Sequence, residues 1–104
     1  MESIEMEPKY IWGPRKWREL HQKALNYRSC NAIFFIRWLE SFINSLPCWT
    51  CQYHFRELVE INPVYLYLRN RETLFYWTYI MHDQVNARLG KYSPPYVVAR
   101  SIYH

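Results

Sequence analysis

Apolar residues recur along this chain at spacings of three and four, and prolines separate the segments in which they do so. Trp17, Leu20, His21, Ala24 and Leu25 form the first such stripe. Trp12-Gly13-Pro14 precedes it, and Pro14 suits the first turn of a helix, where its missing N–H is not needed. A first helix is therefore predicted to open there and to end around Asn26 to Asn31. Phe34, Phe35, Trp38, Leu39, Phe42 and Leu46 form a second stripe, which Pro47 interrupts. A third helix is predicted to begin beside Pro47 and to run through Cys51, Phe55, Leu58 and Val59. It stops before Pro63, because the residue preceding a proline disfavours helix.

Val64 to Leu68 alternates Tyr65 and Tyr67 with aliphatics, but no second strand is offered for pairing, so a loop or helical turn is the better reading. Asn70 suits the N-cap of a fourth helix. That helix carries Leu74, Trp77, Thr78, Met81, Val85 and Leu89 on one face, and Gly90 suits its C-terminal cap. Pro94-Pro95 then precedes a short final segment, Tyr96 to His104. The expected fold is all-α, a four-helix bundle with a short fifth helix. Repeats, linkers and low-complexity tracts are absent from the sequence. The 104 residues read as one domain, 1–104, with 1–10 as a flexible N-terminal segment.

Composition narrows the chemistry. Aromatic residues make up 19% of the chain, too much ring surface for a disordered protein. Only two glycines are present, which argues against Gly-rich phosphate loops and excludes a G-x-G-x-x-G dinucleotide turn. The net charge of +4 is a mild excess best read as a solvated surface. A nucleic-acid partner would rest on that charge alone and is not expected. No apolar run approaches the ~18 residues of a membrane span. Met1 to Tyr10 carries Glu2, Glu5 and Glu7 and lacks the apolar core of a secretory signal.

Cys48 and Cys51 are the chemically informative pair. They fall at the predicted start of the third helix, where exposed N–H groups and the positive dipole end favour a thiolate. Their spacing lets the sulfurs meet across one turn, so the pair can cycle between dithiol and disulfide. A metal reading competes. Cys48, Cys51 and His54 would need a fourth ligand for tetrahedral zinc, from Cys30, His21, His82 or His104, and none belongs to a second paired motif. No metal site is expected, and a non-catalytic zinc-binding or protein-interaction helical module is the alternative. A thioredoxin reading fails for want of strands. A redox-active helical pair needs an electron sink. Trp12, Trp17, His21, Trp77 and His82 lie on core-bearing faces, where planar rings serve an ordinary aromatic core or line a flat cofactor such as a flavin.

The order of motifs is more specific than any one of them. Trp12-Gly13-x-x-x-Trp17-x-x-Leu20-His21 is followed by Pro47-Cys48-x-x-Cys51-x-x-His54-Phe55, then Asn62-Pro63, Trp77 and His82-x-x-Val85-Asn86-x-x-Leu89-Gly90-Lys91. Across residues 11 to 97 this resembles the FAD-linked sulfhydryl oxidases of the Erv/ALR family. Its compact form resembles the versions carried by large DNA viruses. The resemblance implies FAD held at one end of the bundle. It also implies electrons passing from protein thiols through Cys48–Cys51 to FAD and on to molecular oxygen, giving hydrogen peroxide. Cys51 would be the flavin-proximal sulfur, attacking or donating into the isoalloxazine, and Cys48 the sulfur that exchanges with substrate.

Other implied cofactor contacts are Gly13, Trp17 and His21 from the first helix and His54 and Phe55 beside the redox pair. Trp77, His82, Val85 and Asn86 would surround the adenosine portion. Lys91 would lie near the diphosphate and Tyr96 would take an aromatic position after it. Asp83 stands where the family usually has Asn, which removes one amide from the adenine side. The family's flexible shuttle cysteine pair is missing. Thiol-containing protein substrates would then meet Cys48 directly or through a small redox relay protein. Cys30 either bridges to another chain or is a buried inert thiol. A homodimer is expected by resemblance, with exposed aromatics of the first two helices as its interface. The expected location is the cytoplasm of an infected cell, at viral assembly sites, or the virion.

Overall fold

The computed structural model describes residues 7–103. Its order is α1 (Lys9–Leu25), a 3₁₀ turn (Ser29–Asn31), α2 (Ala32–Asn44), α3 (Trp49–Ile61), a second 3₁₀ turn (Val64–Tyr67), α4 (Arg71–Leu89) and α5 (Tyr96–Ser101). The described residues contain no strand, and the arrangement is the expected all-α bundle with a short fifth helix. The alternating Val64–Leu68 segment resolves as a turn of helix. Its tyrosines lie in a single turn joining α3 to α4.

α1 begins earlier than its proline suggests. Pro8 is the N-cap, and Pro14 lies inside the helix. An interior proline removes one backbone bond, here to the Tyr10 carbonyl, and crowds the residue before it. Both Tyr10 and Pro14 are exposed, so water can take the lost bond. The preceding residue is Gly13, which has no Cβ to clash with the proline ring. Lys9 and Tyr10 are therefore helical rather than part of a flexible leader. Residues 1–6 of that expected segment lie outside the described residues.

α4 is the central element and packs against α1, α3, α5 and the second 3₁₀ turn. Its start is set by a capping box. Thr73 N–H donates to Asn70 Oδ1 at 2.9 Å, and Asn70 N–H donates to Thr73 Oγ1 at 3.2 Å. Gly90 closes it at φ 71°, the left-handed conformation that glycine adopts without strain. Asn70→Ala removes the N-cap acceptor and should lower stability by about 1 kcal/mol. Thermal unfolding of the two proteins would register this, and an unchanged midpoint would contradict it.

Leu20 and Ala24 of α1 meet Leu74, Trp77 and Met81 of α4 in a core from which solvent is fully excluded. Phe35, Leu39, Phe42 and Ile43 bring α2 onto this core, and Phe55 and Leu58 bring α3. Phe34 departs from its predicted stripe. It is 70% exposed, beside exposed Ile33 and Ile36, because the α2 face that packs inward is centred on Phe35 and Leu39.

Candidate functional site

The α2–α3 corner sets the geometry of the cysteines. Cys48 is the N-cap of α3, and its Sγ accepts from the Cys51 backbone N–H at 3.2 Å. Thr50 Oγ1 lies 3.4 Å from the same sulfur. The two cysteines form a disulfide, with Cα atoms 5.1 Å apart. Gln52 braces the corner from the next position. Its Nε2 donates to the Leu46 carbonyl at 2.8 Å and to the Asn44 carbonyl at 3.3 Å, holding the end of α2 against the start of α3. Trp49, between the cysteines, is 86% exposed.

Beside the disulfide is a cleft of about 720 Å³ bounded by α1, α3, α4 and the chain's C-terminal end. Cys51 lies on its wall and Cys48 does not. The walls are largely aromatic and aliphatic. The rings of Trp17 and His82 stack with centroids 4.0 Å apart and planes 6° from parallel, and Phe55 stands 6.1 Å from Trp17. Every fully charged side chain lining the cleft is cationic: Lys9, Lys16, Arg18, Arg88 and Lys91.

Of the residues singled out by sequence, Gly13, Trp17 and Cys51 meet on this cleft together with His54 and Phe55. His82, Val85, Asn86 and Lys91 join them from α4 and the loop after it. Apart from its chain neighbours, a Cβ on Gly13 would meet only the Lys9 side chain, at 4.0 Å, so the bare side of Gly13 faces open space. Lys91 is placed by the Gly90 cap, through its N–H to the Asn86 carbonyl at 2.8 Å. The loop is pinned further by Asn86 Nδ2 to Ser93 Oγ at 3.0 Å and by Tyr79 OH to the Pro94 carbonyl at 2.6 Å.

Three positions correct the sequence reading. Trp77 has no exposed surface, and its Nε1 donates to the Asn62 carbonyl at 2.8 Å, so it is core rather than cleft. The inward face of α4 points Trp77 toward the α3 terminus, while His82 and Val85 turn toward the cleft. Tyr96 packs on Phe75, Tyr76 and Tyr79 instead of facing the cleft. Cys30 is exposed in the turn before α2, so the buried reading of that thiol does not hold. His21 is buried behind His82 and lines a small adjoining hollow of about 110 Å³, which Asp83 also borders.

Several cleft residues escaped the sequence reading. Lys9 and Lys16 share the α1 face of Gly13 at helical spacing, a signal that Pro14 obscured. Arg88 lies one turn before Lys91. Ile102 and Tyr103 reach the cleft only because α5 folds back. Among the described residues no cluster of three or more His, Cys, Asp or Glu side chains has metal-binding geometry.

The histidine pair is electrostatically unusual. Burial and then the neighbouring His82 lower the His21 pKa to about 3. Burial and then Lys91 lower that of His82 to about 4, with Asp83 opposing. Both of these imidazoles are held neutral at pH 7, so neither adds to the positive charge that the lysines and arginines bring to the cleft.

The sequence pattern of the Erv1 / Alr family matches residues 14–100, which include the disulfide and every wall of the cleft except its α1 mouth and C-terminal edge. The chain belongs to this family. It is 39% identical over 84 residues to the FAD-linked sulfhydryl oxidase of African swine fever virus (isolate Pig/Kenya/KEN-50/1950), covering 77% of this chain and 69% of that protein. The same identity and coverage hold for the Warthog/Namibia/Wart80/1980 isolate. Protein 096R of Invertebrate iridescent virus 3 is 29% identical over 104 residues, covering 96% of this chain and 68% of the relative.

Proposed function

We propose that this Erv1 / Alr member is an FAD-dependent thiol oxidase that makes disulfide bonds in protein substrates. The observation that carries the reading is a redox disulfide with one sulfur on the wall of a cleft built for a flat, anionic ligand. The cleft's volume falls within the roughly 300–1,000 Å³ of cofactor sites. Trp17, Phe55 and His82 offer apolar ring surface to an isoalloxazine or adenine, and the five cations offer charge to a diphosphate. The residues present fit FAD. Lys91, Arg88, Lys9 and Lys16 would hold its diphosphate, with Cys51 beside its redox ring. When bound, FAD supplies a two-electron sink for the Cys48–Cys51 dithiol and a route for that pair to oxygen, giving hydrogen peroxide.

The protein's own steps are thiol–disulfide exchange. A substrate thiolate attacks Cys48 Sγ, the Cys48–Cys51 bond breaks, and Cys51 leaves as a thiolate on the cleft wall. A second substrate thiolate attacks the substrate sulfur of the mixed disulfide and expels Cys48. The products are a substrate disulfide and the Cys48–Cys51 dithiol, whose two expelled thiolates take up the protons that the substrate thiols lost. Departing Cys48 is received by the Cys51 N–H, the Thr50 hydroxyl and the N-terminus of α3, all of which favour its anionic form.

The place of half-buried Cys48, off the cleft and beside exposed Trp49, supports protein thiols as substrates, with or without a redox relay protein. Exposed Tyr10, Ile33 and Phe34 on α1 and α2 support a homodimer. The viral relatives support action in the cytoplasm of an infected cell, where thiols are otherwise kept reduced, or in the virion. Purified protein is expected to be yellow, to release FAD on denaturation and to produce peroxide from dithiothreitol. A folded, colourless protein that binds no added FAD would overturn the reading.

A further inference from the structure

Behind the cleft, buried polar groups form a chain whose direction can be worked out from its acceptors. Thr78, on α4, has no exposed surface. Its hydroxyl donates to the Phe75 carbonyl at 2.6 Å. A carbonyl cannot donate and a hydroxyl has one proton, so that proton is committed. His21 Nδ1 lies 2.7 Å from the same hydroxyl and must therefore be the donor. A neutral His21 then has a bare Nε2, and His82 Nδ1, 3.1 Å away, must donate to it. The remaining nitrogen, His82 Nε2, carries no proton. It has no partner among the described residues, and no side-chain nitrogen or oxygen there is sealed without one. His82 borders both the main cleft and the small hollow.

We infer that Thr78 is a positioning residue: acting through His21, it fixes the tautomer of His82 so that Nε2 is presented to the cleft as a hydrogen-bond acceptor. This rests on the reading of the cleft as the FAD site. An acceptor at that point selects for a donor on the cofactor, a hydroxyl or an amine. It repels an acceptor-only group such as a phosphate oxygen, so the diphosphate is left to the lysines and arginines. The Trp17 ring, stacked on His82, holds the plane of the imidazole, and the contact with His21 sets which edge faces inward. Phe75 and Tyr103, each with its ring centroid 5.3–5.5 Å from its neighbours in this cluster, close the far side of His21. Neither hydrogen-bonds to its ring nitrogens, which are taken by Thr78 and His82.

The test is a ¹H–¹⁵N correlation spectrum of the histidine rings in the flavin-bound full chain, with Thr78→Val and Thr78→Ser beside it. The expected wild-type pattern for His82 is a protonated Nδ1 and an unprotonated Nε2 at neutral pH. Thr78→Val keeps the side chain's shape but removes the acceptor for His21 Nδ1–H. The pair is then free to reverse, and His82 Nε2 should gain proton character. Flavin should be held about three- to tenfold more weakly, the scale for losing one net hydrogen bond. Thr78→Ser should restore both properties. A wild-type His82 protonated on Nε2 would overturn the inference even if Thr78→Val fails to fold. So would an unchanged His82 pattern in folded Thr78→Val. Failure of the cofactor reading is separate: it would appear as the expected tautomers in a chain that never takes up FAD.

Discussion

Cys48→Ser and Cys51→Ser should each abolish disulfide formation, a loss of several orders of magnitude on the scale seen when a covalent nucleophile is removed. The two losses differ in kind. In Cys51→Ser, Cys48 remains at the N-cap of α3, off the cleft and beside exposed Trp49. It can still be attacked and can form a mixed disulfide, but it has no partner sulfur through which electrons could reach the cleft. In Cys48→Ser, Cys51 remains on the cleft wall, where a bound cofactor covers it. A bulky thiol reagent should therefore label Cys51→Ser quickly and Cys48→Ser slowly. Because Cys30 is exposed, both measurements need a Cys30→Ser background. Both variants should retain flavin, since the aromatic walls and the cations are untouched. Full turnover in either would move catalysis to another thiol. Equal labelling rates would deny that the two sulfurs face different partners.

Much of this arrangement is legible in the chain because local signals agree with tertiary ones. The Asn70 cap, the Gly90 terminator and the stop before Pro63 each rest on backbone chemistry that acts within a few residues. All three fall where expected. Pro14 misleads because its cost is local and its compensation is not visible locally: Gly13 relieves the crowding and solvent takes the orphaned carbonyl. Trp77 misleads for a different reason. Helical spacing places Trp77 and Met81 on one face of α4, and His82 lies beside them. Only the packing of α3 and α1 decides that Trp77 is sealed while His82 borders the cleft. Thr78 was readable as one more position on an apolar stripe. Its role depends on a residue 57 positions earlier, which no periodicity reports.

The same buried pair should make the protein labile to acid well above the range in which carboxylates titrate. In the unfolded chain both imidazoles take a proton near pH 6.5. In the folded chain His21 resists protonation down to about 3 and His82 to about 4. Between those limits the unfolded state binds more protons, so stability rises with pH and is lost as pH falls below 6.5. Burial is the main cause of the resistance, and the groups facing the pair add to it. Lys91 opposes a charge on His82 and Asp83 only partly offsets it. Phe75, Trp17 and Tyr103 give His21 rings instead of a counter-ion. With both histidines counted, linkage predicts a loss of about 4 kcal/mol between neutrality and pH 5, against a total of about 5–15 kcal/mol for a typical domain. Glu72, whose carboxyl is lowered by its bond to Arg100, loses its contribution only below its usual range, so it does not obscure the histidine window. Denaturant unfolding of the flavin-bound protein followed by helical circular dichroism, at steps from neutrality to about pH 4.5, measures the slope. His82→Gln should roughly halve it, since one of the two titrating groups is gone. A flat profile between pH 6.5 and 5 would show that the imidazoles protonate freely in the folded state. The hydrogen-bonded chain from Thr78 to the cleft would then lack the neutral histidines it requires.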